Sequence, residues 1–134
     1  MKSIYLGGHV NEKISATLQW RVDAERLLRG NFDVVSPVRE GQRSPREIFL
    51  ACHAAVARAE LMLVMLDTFG SPHPMCGTYF EMAWAWERHL PIIAVAEQEG
   101  LIMGKKLDPF IVSTTTVWKP SLITATDHLI ACWS

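Results

Sequence analysis

The carboxylate of Glu81 is the group in this chain best placed to act on a bound ligand. It lies in Thr78-Tyr79-Phe80-Glu81, entered through Met75-Cys76-Gly77 after an apolar run and continued by an apolar helix. Open α/β sheets bind ligands just beyond the C-terminal ends of their strands, which is where this spacing puts a carboxylate. The same four residues also read as a T-x-x-E capping box, with Thr78 as N-cap and Glu81 at N3. A negative charge there suits the helix dipole as well. Tyr5 and Asp67, in or at the end of two other apolar runs, are the polar groups that a parallel sheet would carry to the same edge.

The remaining reactive side chains form no recognisable cluster. His9, His53, His73, His89 and His128 show neither H-E-x-x-H nor Cys/His spacing, so no metal is expected. Gly7-Gly8 lacks both the G-x-G-x-x-G continuation and a Walker lysine, which argues against a dinucleotide or triphosphate cradle, and no cofactor is expected. Trp84 and Trp86 sit on an apolar helix, where tryptophan usually serves core or interface, although either could stack on a base. Asp67 is a common type of turn residue, with a functional reading open because of its place at a strand end.

Composition narrows the class of partner. The 134 residues make one domain, with 13 Lys+Arg against 14 Asp+Glu and a net charge of -1. There is no basic field for a nucleic-acid polymer and no polybasic stripe for anionic lipid. Cys52, Cys76 and Cys132 form no C-x-x-C pair, and MKSIYLGGHV lacks a signal-peptide pattern, so a reduced, cytoplasmic protein is expected. Asp67, Gly70, Pro72, Pro74 and Glu81 interrupt the long apolar stretch from Leu61 to Trp86, which excludes a membrane span there.

Two periods alternate along the chain. Ser3 to Gly8 is a buried strand; Ile14 to Arg29 is a helix with the stripe Trp20, Ala24, Leu27, Leu28 and a stop at Gly30. Phe32 to Ser36 is a second strand, closed by Pro37. Ser44-Pro45-Arg46-Glu47 is a capping box with proline at N1, opening a helix whose face is Ile48, Cys52, Ala55, Val56 and Ala59. Leu61 to Leu66 is apolar throughout, as a central parallel strand buried on both faces must be. The helix from Gly77 to His89 is apolar nearly all round and is predicted to be buried on more than one side. Pro91 to Ala96 is a fourth strand. Glu97 to Ile111 is a long connection with one helical turn near Leu107 to Ile111, followed by a strand from Thr114 to Trp118 and a helix behind Pro120-Ser121.

Strand and helix alternating throughout predict a flavodoxin-like, doubly wound five-stranded parallel sheet of order 2-1-3-4-5. Its switch point lies between the first and third strands, so Tyr5, Asp67 and Glu81 are expected to converge on one crevice.

Taken in order, Ile4-Tyr5-Leu6-Gly7-Gly8, Ala59-Glu60-Leu61, Gly77-Thr78-Tyr79-Phe80-Glu81 with Ala83 and Ala85, and Pro91-Ile92-Ile93 resemble the nucleoside 2-deoxyribosyltransferase family, including the related 2'-deoxynucleoside 5'-phosphate N-hydrolases. The resemblance runs from Ser3 to Trp118. It implies that Glu81 attacks the anomeric carbon of a nucleoside and expels the base, leaving a glycosyl-enzyme ester that a second base or water opens. It further implies that Tyr5 hydrogen-bonds that nucleophile, and that Gly7, Gly8, His9, Glu60, Met75, Gly77, Thr78 and Ser113 stand at substrate-binding positions.

The chain also departs from the family's pattern. Met75 stands where an aspartate is usual, six positions before the nucleophile, and Glu60 and Cys52 stand at or near two other aspartate positions. Asp67 is then the evident substitute for the missing acid, and a catalytically silent nucleotide-binding or sensing module is the alternative that Met75 favours. His9 and Asn11 replace the serine and arginine of the phosphate-reading members, and Lys13 and Arg21 read as solvated helix positions, so a nucleoside is favoured over a nucleotide. Ser113 matches a serine that reaches the phosphate across a subunit interface in those hydrolases, and also reads as an ordinary strand-start serine. The surplus apolar surface of the helix carrying Glu81 predicts a homo-oligomer.

Overall fold

The computed structural model describes residues 1–36, 44–102 and 104–134; Pro37, expected to close the second strand, lies outside them. Strands β1 (Ser3–Gly8), β2 (Asp33–Val35), β3 (Leu61–Met65), β4 (Ile92–Val95) and β7 (Val117–Lys119) form the main sheet. All its neighbours pair in parallel, in the order β2-β1-β3-β4-β7, which is the flavodoxin-like order 2-1-3-4-5. Helices α1 (Ala16–Leu28) and α5 (Leu122–Trp133) cover one face, and α2 (Pro45–Arg58), α3 (Cys76–Glu87) and α4 (Pro109–Thr114) the other.

Strand β3 separates the two cores by simple alternation. Leu61, Leu63 and Met65 pack with Ile4, Leu6, Trp20 and Leu129 under α1 and α5. Met62, Val64 and Leu66 pack with Tyr5, Val56, Met82 and Ala85 under α2 and α3. A strand buried on both faces has no polar side to show, hence the unbroken apolar run.

Several boundaries differ from the sequence expectation. The connection after β4 holds a short antiparallel pair, β5 (Leu101–Ile102) with β6 (Lys105–Lys106), ahead of α4. Two-residue strands give no periodic signal. Helix α4 ends where a strand was expected to begin, and that strand starts at Val117. Asp108 caps α4 by accepting from the Phe110 N–H at 2.8 Å, with Pro109 at the first helical position. Gly30 is not in the left-handed region, so α1 ends instead through the Asn31 and Phe32 N–H groups, both bonded to the Leu28 carbonyl at 2.9 Å.

The helix carrying Glu81 begins earlier than the capping box requires. Helix α3 starts at Cys76, two residues after Pro74, with Met75 as N-cap and no side chain capping it. Thr78 is therefore inside the first turn and Glu81 inside the second. The capping-box reading of Glu81 is overturned. Thr78, Glu81, Met82 and Ala85 of α3 are buried, while Phe80 and Trp86 are 59% and 53% exposed.

Candidate active site

Strand β2 stops after three residues, and this opens the sheet edge beside the end of β1. Its last pair is Tyr5 with Val35, so among the described residues the carbonyls of Leu6 and Gly8 extend past the strand partner on that side. Arg21 of α1 takes the strand's place, donating to the Leu6 carbonyl at 2.7 Å and the Gly8 carbonyl at 2.8 Å, while its guanidinium lies 4.9 Å from the Trp20 ring. Sequence reading placed Arg21 in solvent because it lies off the apolar stripe of α1. No periodicity reveals a side chain that reaches back to a strand end.

Two cavities meet at this edge, and Glu81 belongs to both. The first, about 540 Å³, lies between α2 and the start of α3 and is lined by His9, Phe49, Met75, Gly77, Thr78 and Trp84, among others. The second, about 530 Å³, lies between α1 and α2 and is lined by Tyr5, Arg21, Glu25 and Ser36, among others. Gly8, Val10 and Cys52 also border both. Glycine at position 8 is a packing requirement, because a Cβ there would sit 2.7 Å from Cζ2 of Trp20 and 3.3 Å from the Met65 backbone oxygen.

Glu81 is 8% exposed and has no hydrogen-bond partner among the described residues. Burial alone pushes its carboxyl up to about 8. A carboxyl kept out of water with nothing holding its charge stays protonated at neutral pH when the site is empty. Carboxyls in such surroundings recur at catalytic centres, because the fold gains nothing from them. Tyr5 borders the second cavity with Glu81, and no hydrogen bond joins the two side chains.

Around the first cavity, Trp84 gathers three rings: Phe49 edge-on at 5.4 Å, His53 edge-on at 4.8 Å and Phe80 tilted at 6.1 Å. Trp84 is half-buried on the cavity wall, whereas Trp86 lines neither cavity. His9 is held from the facing loop: its Nε2 lies 2.7 Å from Ser71 Oγ, and Asn11 Nδ2 donates to the same oxygen at 3.0 Å. This small network ties the loop after β1 to the loop after β3.

Four expected site residues border neither of these two cavities. Asp67 follows Leu61, Leu63 and Met65 onto the α1/α5 face, where it borders a separate hollow with Trp20, Phe69 and Val95, and its Oδ1 accepts the Phe69 N–H at 2.7 Å. That is a turn bond, and it needs no charge. Asp67→Asn is accordingly expected to leave stability and any turnover within about threefold of the parent, since changes outside a site move free energies by about 0.5 kcal/mol or less. A loss beyond tenfold in steady-state kinetics would return Asp67 to the site. Glu60 stands at the opposite, N-terminal edge of the sheet, exposed, with Ser3 beside it. Ser113 is not at a strand start; it lies in α4, exposed, donating to the Pro109 carbonyl at 2.7 Å. Gly7 borders neither Glu81 cavity. No group of three or more potential ligands that could hold a metal ion occurs among the described residues.

Comparison with solved structures decides what fold this arrangement sits on. A 2-desoxiribosyltransferase from Leishmania mexicana superposes with a TM-score of 0.76 over 100% of both chains at 16% identity. The chain has the deoxyribosyltransferase fold. A second example, the 2-deoxyribosyltransferase of the psychrotolerant bacterium Bacillus psychrosaccharolyticus, matches with a TM-score of 0.70 at 16% identity, covering 93% of this chain and 90% of the other. A CMP N-glycosidase from Clostridium botulinum matches with a TM-score of 0.61 at 19% identity, covering 96% and 98%. No protein-family model and no curated protein sequence matches the chain. At these identities the similarity is one of the deoxyribosyltransferase fold, and activity has to be argued from Glu81 and its surroundings.

Proposed function

We propose that this protein cleaves the N-glycosidic bond of a nucleoside through Glu81 and transfers the sugar to another base, with water as the competing acceptor. The observation that carries this reading is the buried Glu81 carboxyl, without a hydrogen-bond partner among the described residues, at the junction of two cavities, on the fold of deoxyribosyltransferases and an N-glycosidase. In the ionised form, one carboxylate oxygen bonds to the anomeric carbon as the carbon–nitrogen bond breaks and its electron pair leaves with the base. An acceptor nitrogen or water then displaces Glu81 from the same carbon. The sugar lies over Glu81 and Tyr5, and the planar base takes the aromatic wall of Phe49, Phe80 and Trp84.

Incubation with each deoxynucleoside, with and without a second free base, tests this by chromatography. A new nucleoside establishes transfer, free base with free sugar establishes hydrolysis, and unchanged substrate throughout refutes the proposal. Nucleoside 5'-monophosphates in the same assay decide whether phosphate is accepted. The engagement of Arg21 with two backbone carbonyls favours the nucleoside.

We also assign the protein to a cytoplasmic homo-oligomer. No disulfide joins its described cysteines, and no helix among the described residues is long and apolar enough to cross a membrane. Phe80, on the rim of the aromatic cavity, also lines a groove between α3 and α4 together with Phe110, which is 82% exposed. A second copy seated on that groove would cover both rings and reach the rim of the site. Light scattering at micromolar concentration is expected to give a dimer or larger, and Phe110→Asp to shift it toward monomer. A monomeric parent with full activity would rule out the assembly.

A further inference from the structure

The proton that a leaving base needs is already in the site. A departing base takes the carbon–nitrogen bonding pair with it, and expulsion of an ordinary base as an anion is slow without an acid to protonate it. Glu81 stands on the buried face of α3, with Thr78 three residues before it and Ala85 four after, and it borders both cavities. Among the described residues, the titratable or charged side chains on the walls of those cavities are Tyr5 of β1, His9 and Glu12 of the loop after it, Arg21 and Glu25 of α1, and Cys52 of α2. None of them hydrogen-bonds or ion-pairs with Glu81, and burial is the cause that raises its carboxyl to about 8. Taking a carboxyl out of water without a partner for its charge keeps the proton on it.

We infer that Glu81 gives its own proton to the leaving base and its oxygen to the sugar, so that the substrates of this site are nucleosides whose base departs neutral by accepting a proton. This role rests on the glycosyl-transfer reading above. The position of the carboxyl carries it: a group shared by the cavity that takes the base and the cavity that takes the sugar reaches both ends of the bond that breaks. Burial also makes the alternative costly. Charge separation beside a wall of Phe49, Met75, Phe80 and Trp84 would leave a carboxylate without water or a partner, whereas a proton that moves as the ester forms keeps the reacting pair neutral throughout. The ionised nucleophile arises only as its proton passes to the base.

The step balances without another acid. The O–H bond of Glu81 breaks and its proton goes to an acceptor atom of the base, the carbon–nitrogen pair goes to the base as well, and a carboxyl oxygen bonds to the anomeric carbon. Carboxylic acid and nucleoside become ester and neutral base. In the second half-reaction, the N–H of an incoming base or the O–H of water breaks and the acceptor atom bonds to the anomeric carbon. The ester's bonding pair and the released proton return to Glu81.

Two kinds of leaving group separate this role from that of a nucleophile assisted by another acid. The bases of 2'-deoxyadenosine and 2'-deoxycytidine need a proton to leave, whereas nicotinamide 2'-deoxyriboside, a pyridinium, and 4-nitrophenyl 2-deoxyriboside release stable groups without one. The pH dependence of kcat/KM from about pH 6 to about pH 9.5 reports the titration of the free enzyme. On the two ordinary nucleosides it is expected to be level up to about 8 and to fall about tenfold per pH unit beyond, as Glu81 loses its proton. On the two proton-free substrates it is expected to rise about 100-fold between about pH 6 and about 8 and then to stay level, because the ionised carboxyl is the form that attacks them. Glu81→Gln is expected to lose activity on both kinds. A level profile on the proton-free substrates, or a level or rising one on the ordinary nucleosides, puts the acid on another group and overturns the double role while leaving the nucleophile intact. Cleavage of an ordinary nucleoside but of neither proton-free substrate also overturns it. A parent that cleaves none of the four overturns both readings.

Discussion

Replacing Glu81 by Gln should abolish turnover, with kcat/KM down by about 10³-fold or more, because a covalent route has no substitute once its nucleophile is gone. The amide keeps the shape of the side chain and fills the same position between the two cavities, so binding of nucleoside should survive in calorimetry. Structural confusion is limited here. Had Glu81 closed a capping box, its removal would have cost about 1 kcal/mol of helix stability; with α3 starting at Cys76 and Met75 at its cap, Glu81 makes no such bond. A folded Glu81→Gln protein within tenfold of the parent would eliminate the nucleophile and the mechanism with it. Unlike a loss caused by misfolding, the expected loss leaves circular dichroism and nucleoside affinity unchanged.

What the sequence showed of this site, and what it hid, follows from where each residue sits relative to a regular element. The sheet order was legible because β3 is apolar throughout and because each crossover is long enough for one helix; alternation of periods carries that information. Glu81 was legible because a carboxylate in an apolar helix is conspicuous. The start of α3 was not. Thr78, a good cap residue, competed with a Pro74 that lets the helix begin two residues after it, and local propensity favours the first while the chain takes the second. Asp67 was misplaced for a different reason. With both faces of β3 apolar, no polar residue marks which parity faces which layer, and the decision comes from the register that pairs Tyr5 with Met62 and leaves odd-numbered β3 residues on the opposite side. Glu60 was carried by resemblance to a position whose surroundings here are solvent, and Ser113, expected to act across a subunit interface, lies exposed on α4. Arg21 and the contact between His9 and Ser71 are tertiary: each joins segments 13 or more residues apart, beyond the reach of any local pattern.

Burial of Glu81 has a second measurable consequence, in the dependence of stability on pH. Its carboxyl titrates near 8 in the folded chain against an ordinary value of 4.5. Between those two values the folded protein holds a proton that the unfolded chain has released, so unfolding free energy must fall as pH rises across that window, at up to about 1.4 kcal/mol per pH unit. Below 4.5 the contribution is fully present, and above 8 the loss is complete. Glutamine resembles the protonated acid and does not titrate. The parent and Glu81→Gln should therefore have nearly equal stability at pH 4.5, with the variant gaining steadily until it exceeds the parent by a few kcal/mol at pH 8. Urea unfolding of both proteins at unit pH intervals reads this directly. Parallel curves would mean that Glu81 is ionised in the fold, which would require a partner for its charge and would remove the argument that the carboxyl waits for a ligand. Divergent curves, from a substitution that also abolishes turnover, would place Glu81 among residues that are held against the interest of stability, and the ligand that completes its surroundings would be the reason it is there.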